Sequence, residues 1–129
     1  MKKKPILCVD FDGVIHSYTS GWQGADKAED PPVPGAIAFL REAVKHFEVC
    51  IYSSRSREPD GVHCMAQYIG RWALEERLDD HEELAWISAI AFPVFKPAAF
   101  LTLDDRAVTF NGTFPTPETL LLFKPWNKP

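Results

Sequence analysis

No apolar run in this sequence approaches the roughly 20 residues that a membrane-crossing helix needs, so none of it reads as a transmembrane segment. The lysines of Met1–Lys4 look like the start of a secretory leader, yet the apolar run behind them stops at Asp10, too short for its hydrophobic region. Cysteine is scarce. Cys8, Cys50 and Cys64 are odd in number and lack close metal-type spacing, and two of them lie in apolar runs where cysteine behaves as a small hydrophobe. That usage points to a reducing, cytoplasmic setting. Excess positive charge is missing too: a net charge of -4 and a pI near 5.5 disfavour broad nucleic-acid affinity, leaving room only for a local basic strip. There is no Gly-rich dinucleotide fingerprint and no GxxxxGK[ST] loop, so nicotinamide enzymes and P-loop kinases fit poorly. Internal repeats and low-complexity tracts are likewise absent.

What is present reads as one soluble domain over residues 1–129, with 46% hydrophobic and 25% charged residues. Strand and helix signals alternate. Pro5 to Val9 is apolar on both faces, as a central parallel strand should be. Residues 16–34 break the pattern with a polar, Gly-bearing and aromatic stretch that ends in Asp30-Pro31-Pro32-Val33-Pro34-Gly35, a stiff loop suited to a lid or minimal cap. Ala36, Ile37, Leu40, Ala43 and Val44 recur at helical spacing to about His46. Phe47 to Tyr52 is a second strand, running into Ser53-Ser54-Arg55-Ser56. With Asp60 as its cap, a further helix carries the stripe Val62, Met65, Ala66, Ile69, Trp72 and Ala73, which reads as core. The acidic run Glu75–Glu83 reads as a solvated face, and Leu84–Val94 is open between a strand and a short helix. Phe100 to Leu103 forms a further strand, Val108–Phe114 a hairpin turning at Asn111-Gly112, and Thr116-Pro117 opens a last helix whose Leu120–Phe123 dock on the sheet. The expected fold is a three-layer α/β/α sandwich with a Rossmann-like, mainly parallel sheet.

Four polar elements follow apolar runs in order: Asp10/Asp12 with Gly13, Ser53/Ser54, Lys96, and Asp104/Asp105. Strand ends lie side by side in such a sheet, so these elements would meet at its carboxyl edge. Paired carboxylates there repel unless a cation or proton sits between them. Carboxylates from two strands with a backbone carbonyl suit Mg²⁺ and a substrate phosphate, and a hydroxyl with a lysine suits the phosphoryl group. The bland alternative makes the acids turn and capping residues, the serines loop chemistry and Lys96 a surface lysine.

This order of motifs, Asp-Phe-Asp-Gly-Val, a strand ending in Ser, a lysine and Asp-Asp, resembles the haloacid dehalogenase superfamily over about Ile6 to Arg106. The stretch Asp-Asp-Arg-Ala-Val-Thr-Phe-Asn-Gly is similar to its small, phage-type members. The resemblance implies Asp10 as the nucleophile that forms an aspartyl-phosphate, and Asp12 as general acid and then base. It further implies Lys96 as the charge neutraliser, and Ser53 or Ser54, with Gly13, on the phosphoryl oxygens. Mg²⁺ would be held by Asp10, Asp12 through its carbonyl, and Asp104 or Asp105. Arg55 is a candidate for a substrate anion; His16 stands between substrate contact and a solvated loop histidine, and Trp22 between substrate stacking and loop packing. Little chain remains for a cap, so the site is expected to be open. The activity implied is phosphomonoester hydrolysis on a small-molecule or macromolecular substrate. The alternatives are a nucleotide or polynucleotide-end phosphatase and a non-catalytic metal- and phosphate-binding module.

Overall fold

The computed structural model describes residues 3–78 and 85–128. Three short strands, β1 (Ile6–Val9), β2 (Glu48–Ile51) and β3 (Leu101–Leu103), form one parallel sheet in the order β2-β1-β3. The helices are α1 (Ala36–Ala43), α2 (Pro59–Glu75), α3 (Ala85–Ser88) and α4 (Pro117–Leu121). The architecture is α/β. Among the described residues, no helix is long and apolar enough to cross a membrane.

The central place of β1 follows from its composition. Leu7, Cys8 and Val9 are buried, and a strand with no polar face is stable only when both faces and both edges are covered. Leu7 registers with Val49 and Leu101, and Val9 with Ile51 and Leu103. Two helices cover this side: Ile37 and Leu40 of α1 and Met65, Ile69 and Ala73 of α2 close the core over β1 and β2. Helix α1 stops at Ala43, short of His46, because Lys45 and His46 bond back to Glu42 and Ala43 and tighten the last turn. Helix α2 is capped at Glu58 rather than at Asp60. Pro59 takes the first helical position, where its missing N–H costs nothing, and Asp60 sits in the first turn beside the positive helix end.

The described part of the 84–94 region forms the short helix, α3, and a single bridge but no strand. After α3, Ala91 pairs with the outer edge of β2, donating to Val49 O at 3.0 Å and accepting from Ile51 N at 2.9 Å. Leu84 and residues 79–83 of the acidic run lie outside the described residues; Glu75 and Glu76 are exposed. Two expectations at the C-terminus fail. Val108–Phe114 forms no strands. Asn111 Oδ1 accepts the Thr113 N–H and Gly112 turns at φ 101°, but a hairpin with no face to pack on is marginal. Helix α4 forms behind its Thr116 cap as expected, yet it buries no residue, and Leu120–Phe123 are 41–86% exposed rather than docked.

Candidate metal and phosphate site

Asp10 is the first residue past β1, fixed by its N–H on Leu103 O at 3.0 Å. The chain then folds into a tight loop in which the N–H groups of Val14, Ile15 and His16 all converge on Phe11 O at 2.9–3.3 Å. Gly13 sits at φ 85°, and a Cβ there would overlap the Asp105 carboxylate, so glycine is required for two separate reasons. Strand β3, pairing directly with β1, delivers Asp104 and Asp105 to the same edge. One carboxylate oxygen from each of Asp10, Asp104 and Asp105 lies within 4.8 Å of the others.

The electrostatics of this cluster are unfavourable as it stands. Burial pushes the Asp10 carboxyl up from 3.8 to about 8, against the pull of its hydrogen bond from Phe11 N–H, and the charges of Asp104 and Asp105 add to the rise. Asp105 Oδ1 is buried without any hydrogen-bond partner. A buried acceptor left unpaired beside two further acids is the donor set a hard cation completes.

Asp12 belongs to a different network. Arg55, fully buried, donates from Nε and Nη2 to Asp12 Oδ2 and Oδ1 at 2.9 and 3.0 Å, a bidentate pair. Its Nη1 reaches the carbonyls of Gly24, Ala25 and Lys27 at 2.8–3.0 Å, and its guanidinium lies between the Phe11 and Trp22 rings. His16, also buried, accepts from Asp30 N–H on Nε2 at 3.1 Å; its proton therefore sits on Nδ1 and is donated to Asp12 Oδ1 at 2.8 Å. Burial alone would raise the Asp12 carboxyl, but the bonds from His16 and Arg55 outweigh it and hold it below its ordinary range.

The structure thus brings together Asp10, Gly13, Asp104 and Asp105, and gives the side chains of Asp12, Ser53 and Arg55 partners outside that cluster. Arg55, expected on a substrate anion, spends its nitrogens inside the fold and pins the 16–34 loop. Ser53 is turned inward: its Oγ accepts the Arg55 N–H at 3.0 Å and donates to Met65 Sδ at 3.4 Å, while Ser54 is exposed. Lys96 is exposed and makes no ion pair with the acids; its charge is felt at Cys8, whose thiol burial pushes up and Lys96 pulls weakly down. Trp22 packs on Arg55, and His16 is a buried structural partner rather than a solvated loop residue.

Sequence reasoning missed the C-terminal tail. Trp126 Nε1 donates to Gly13 O at 2.8 Å and Asn127 Nδ2 to Ser17 O at 3.2 Å, tying the tail to the Asp10 loop from 113 and 110 residues away. No local pattern announces such a contact. Trp126 also helps line a cavity of about 220 Å³ beside Asp104 and Asp105. A larger cavity of about 560 Å³ lies between the 24–30 loop and α2, away from the acid cluster.

No family model, curated protein or solved structure matches the chain.

Proposed function

We propose that the chain is a Mg²⁺-dependent phosphomonoester hydrolase of the haloacid dehalogenase type, working through an aspartyl-phosphate on Asp10 and built as a small, open, three-layer member of that fold. The observation that carries this reading is the acid cluster: carboxylate oxygens of Asp10, Asp104 and Asp105 lie within 4.8 Å of one another, and one buried oxygen of Asp105 has no partner. Asp10, Asp104 and Asp105, with the Asp12 carbonyl, would hold the cation. When bound it would neutralise the acids and draw charge from a phosphoryl group. Three free cysteines agree with a reducing, cytoplasmic setting.

In this reading an Asp10 carboxylate oxygen attacks phosphorus, the bond from phosphorus to the ester oxygen breaks, and the leaving oxygen takes its proton from water in the open site, because Asp12 is held ionised and has none to give. Water then attacks the phosphorus of the aspartyl-phosphate, releasing inorganic phosphate and restoring Asp10. Asp12, held ionised by Arg55 and His16, suits the second step, where a base must take a proton from water. The exposed Ser54 and Lys96 are the hydroxyl and the cation left free for the phosphate.

A second reading rests on the same residues. Asp12 is clamped outside the cluster and Lys96 pairs with none of the acids, an arrangement equally fitted to a module that binds metal and phosphate without turnover. One experiment separates the two: phosphate release from an aryl phosphate, with Mg²⁺ and with chelator, by wild type and Asp10→Asn. Mg²⁺-dependent release that disappears in the variant supports the hydrolase. Mg²⁺ binding by calorimetry with no release from wild type supports the binding module.

A further inference from the structure

We propose that this protein is a twofold-symmetric dimer in which the C-terminal arm of each copy covers the open side of the other copy's sheet. Of the sixteen large apolar side chains open to solvent among the described residues, thirteen lie between Val94 and Trp126. Exposed by 41–86%, they leave on the order of 1,500 Å² of apolar surface, against roughly 300–600 Å² for the largest patch of a typical monomer. Burying half of it would supply the roughly 800 Å² per partner of a standard interface.

The second copy is favoured because the chain carries both halves of one contact. Leu101 and Leu103 register with Leu7 and Val9 and so project from the same face of the sheet. There α1 and α2 bury Leu7 and Val9 but leave Leu101 and Leu103 56% and 42% exposed. Among the described residues no helix covers β3, an edge strand whose three residues are all exposed. The arm carries a helix that covers nothing: α4 buries no residue and leaves Leu121 86% exposed. A twofold operation that sets each α4 on the partner's β3 satisfies both at once, as isologous contacts require. An unrelated partner would need to match only one of them.

Charge and order agree with this choice. Beyond residue 100, Asp104, Asp105 and Glu118 are balanced by Arg106, Lys124 and Lys128, although the whole chain carries -4. The arm is therefore the face on which two acidic copies can meet without repulsion. It is also preformed, through the Thr116 cap, the Asn111 turn and the Phe110–Phe114 ring contact at 4.8 Å, so little ordering is left to offset binding.

The test is the mass in solution. Light scattering up to about 100 µM should give wild type twice its 14.6 kDa. The double variant Leu121→Asp/Leu122→Asp should give a single chain mass with an unchanged far-ultraviolet spectrum, because α4 supports no core. A monomeric wild type at that concentration overturns the proposal, and so does open-ended growth beyond the dimer. Leu103→Cys and Leu121→Cys, carried on separate chains, mixed and oxidised, should join across the two copies. A dimer that never forms this cross-link would overturn the exchange of arms.

Discussion

Replacing Asp10 by asparagine should stabilise the metal-free protein at neutral pH while abolishing any turnover. Two unit charges 4.8 Å apart repel by about 3 kcal/mol at an effective dielectric of about 20. Burial first, and that repulsion after it, keeps a proton on Asp10, whose carboxyl moves from 3.8 to about 8. Because the folded value lies above the unfolded one, the group favours the folded state fully below pH 3.8, and that contribution is lost as pH climbs toward 8. At about 1.4 kcal/mol per pH unit the loss by pH 7 is at most about 4 kcal/mol. Solvent around the exposed Asp104 reduces it to roughly 2 kcal/mol. Asparagine keeps an acceptor for the Phe11 N–H and carries no charge. Thermal unfolding in chelator should therefore show no difference between the proteins near pH 4, and about 8 °C in favour of Asp10→Asn near pH 8. Saturating Mg²⁺ should raise wild type and leave the variant where it was. A difference that stays flat with pH, or a destabilised variant at pH 8, would refute the reasoning.

Three further outcomes follow from named contacts. Arg55→Met should cost about 3–5 kcal/mol in urea unfolding, because Asp12 and three loop carbonyls lose their buried partner; a cost below about 1 kcal/mol would mean that water replaces the guanidinium. Gly13→Ala should weaken Mg²⁺ binding at least tenfold by calorimetry, since its Cβ displaces Asp105, whereas Gly21→Ala, at φ 74° with open space around it, should cost about 1 kcal/mol of backbone strain and leave the affinity unchanged. Trp126→Phe should lower stability by about 0.5–1.5 kcal/mol through loss of the bond to Gly13 O, read from the urea midpoint.

The parts of the fold that could be read in the sequence are those whose signal is local. The runs at Ile6–Val9, Glu48–Ile51 and Leu101–Leu103 were legible as strands from their short length and β-forming composition, and the first and last run directly into Asp10 and into Asp104 and Asp105. The failures share a cause. Asn111-Gly112 has the chemistry of a hairpin, but turn chemistry makes strands only when a face exists to receive them. The leucines of 120–122 have the composition of a docked helix, but composition does not reveal which surface, if any, lies within reach. Asp12 was legible as an acid at a strand end; that its oxygens belong to Arg55 was not, because the pairing spans 43 residues. The only local hint was the spacing of four from Asp12 to His16 across a glycine turn.

The reach of Arg55 has a kinetic meaning. One guanidinium from beyond β2 reaches three carbonyls of the 16–34 loop, across 28 to 31 residues of chain. Those bonds cannot form until β1 and β2 have paired and the turn after Ile51 has set. The loop must therefore close late on the folding route, after the chain entropy of that span has been lost to strand pairing. Changes within it should then act on how fast the protein opens and hardly at all on how fast it folds.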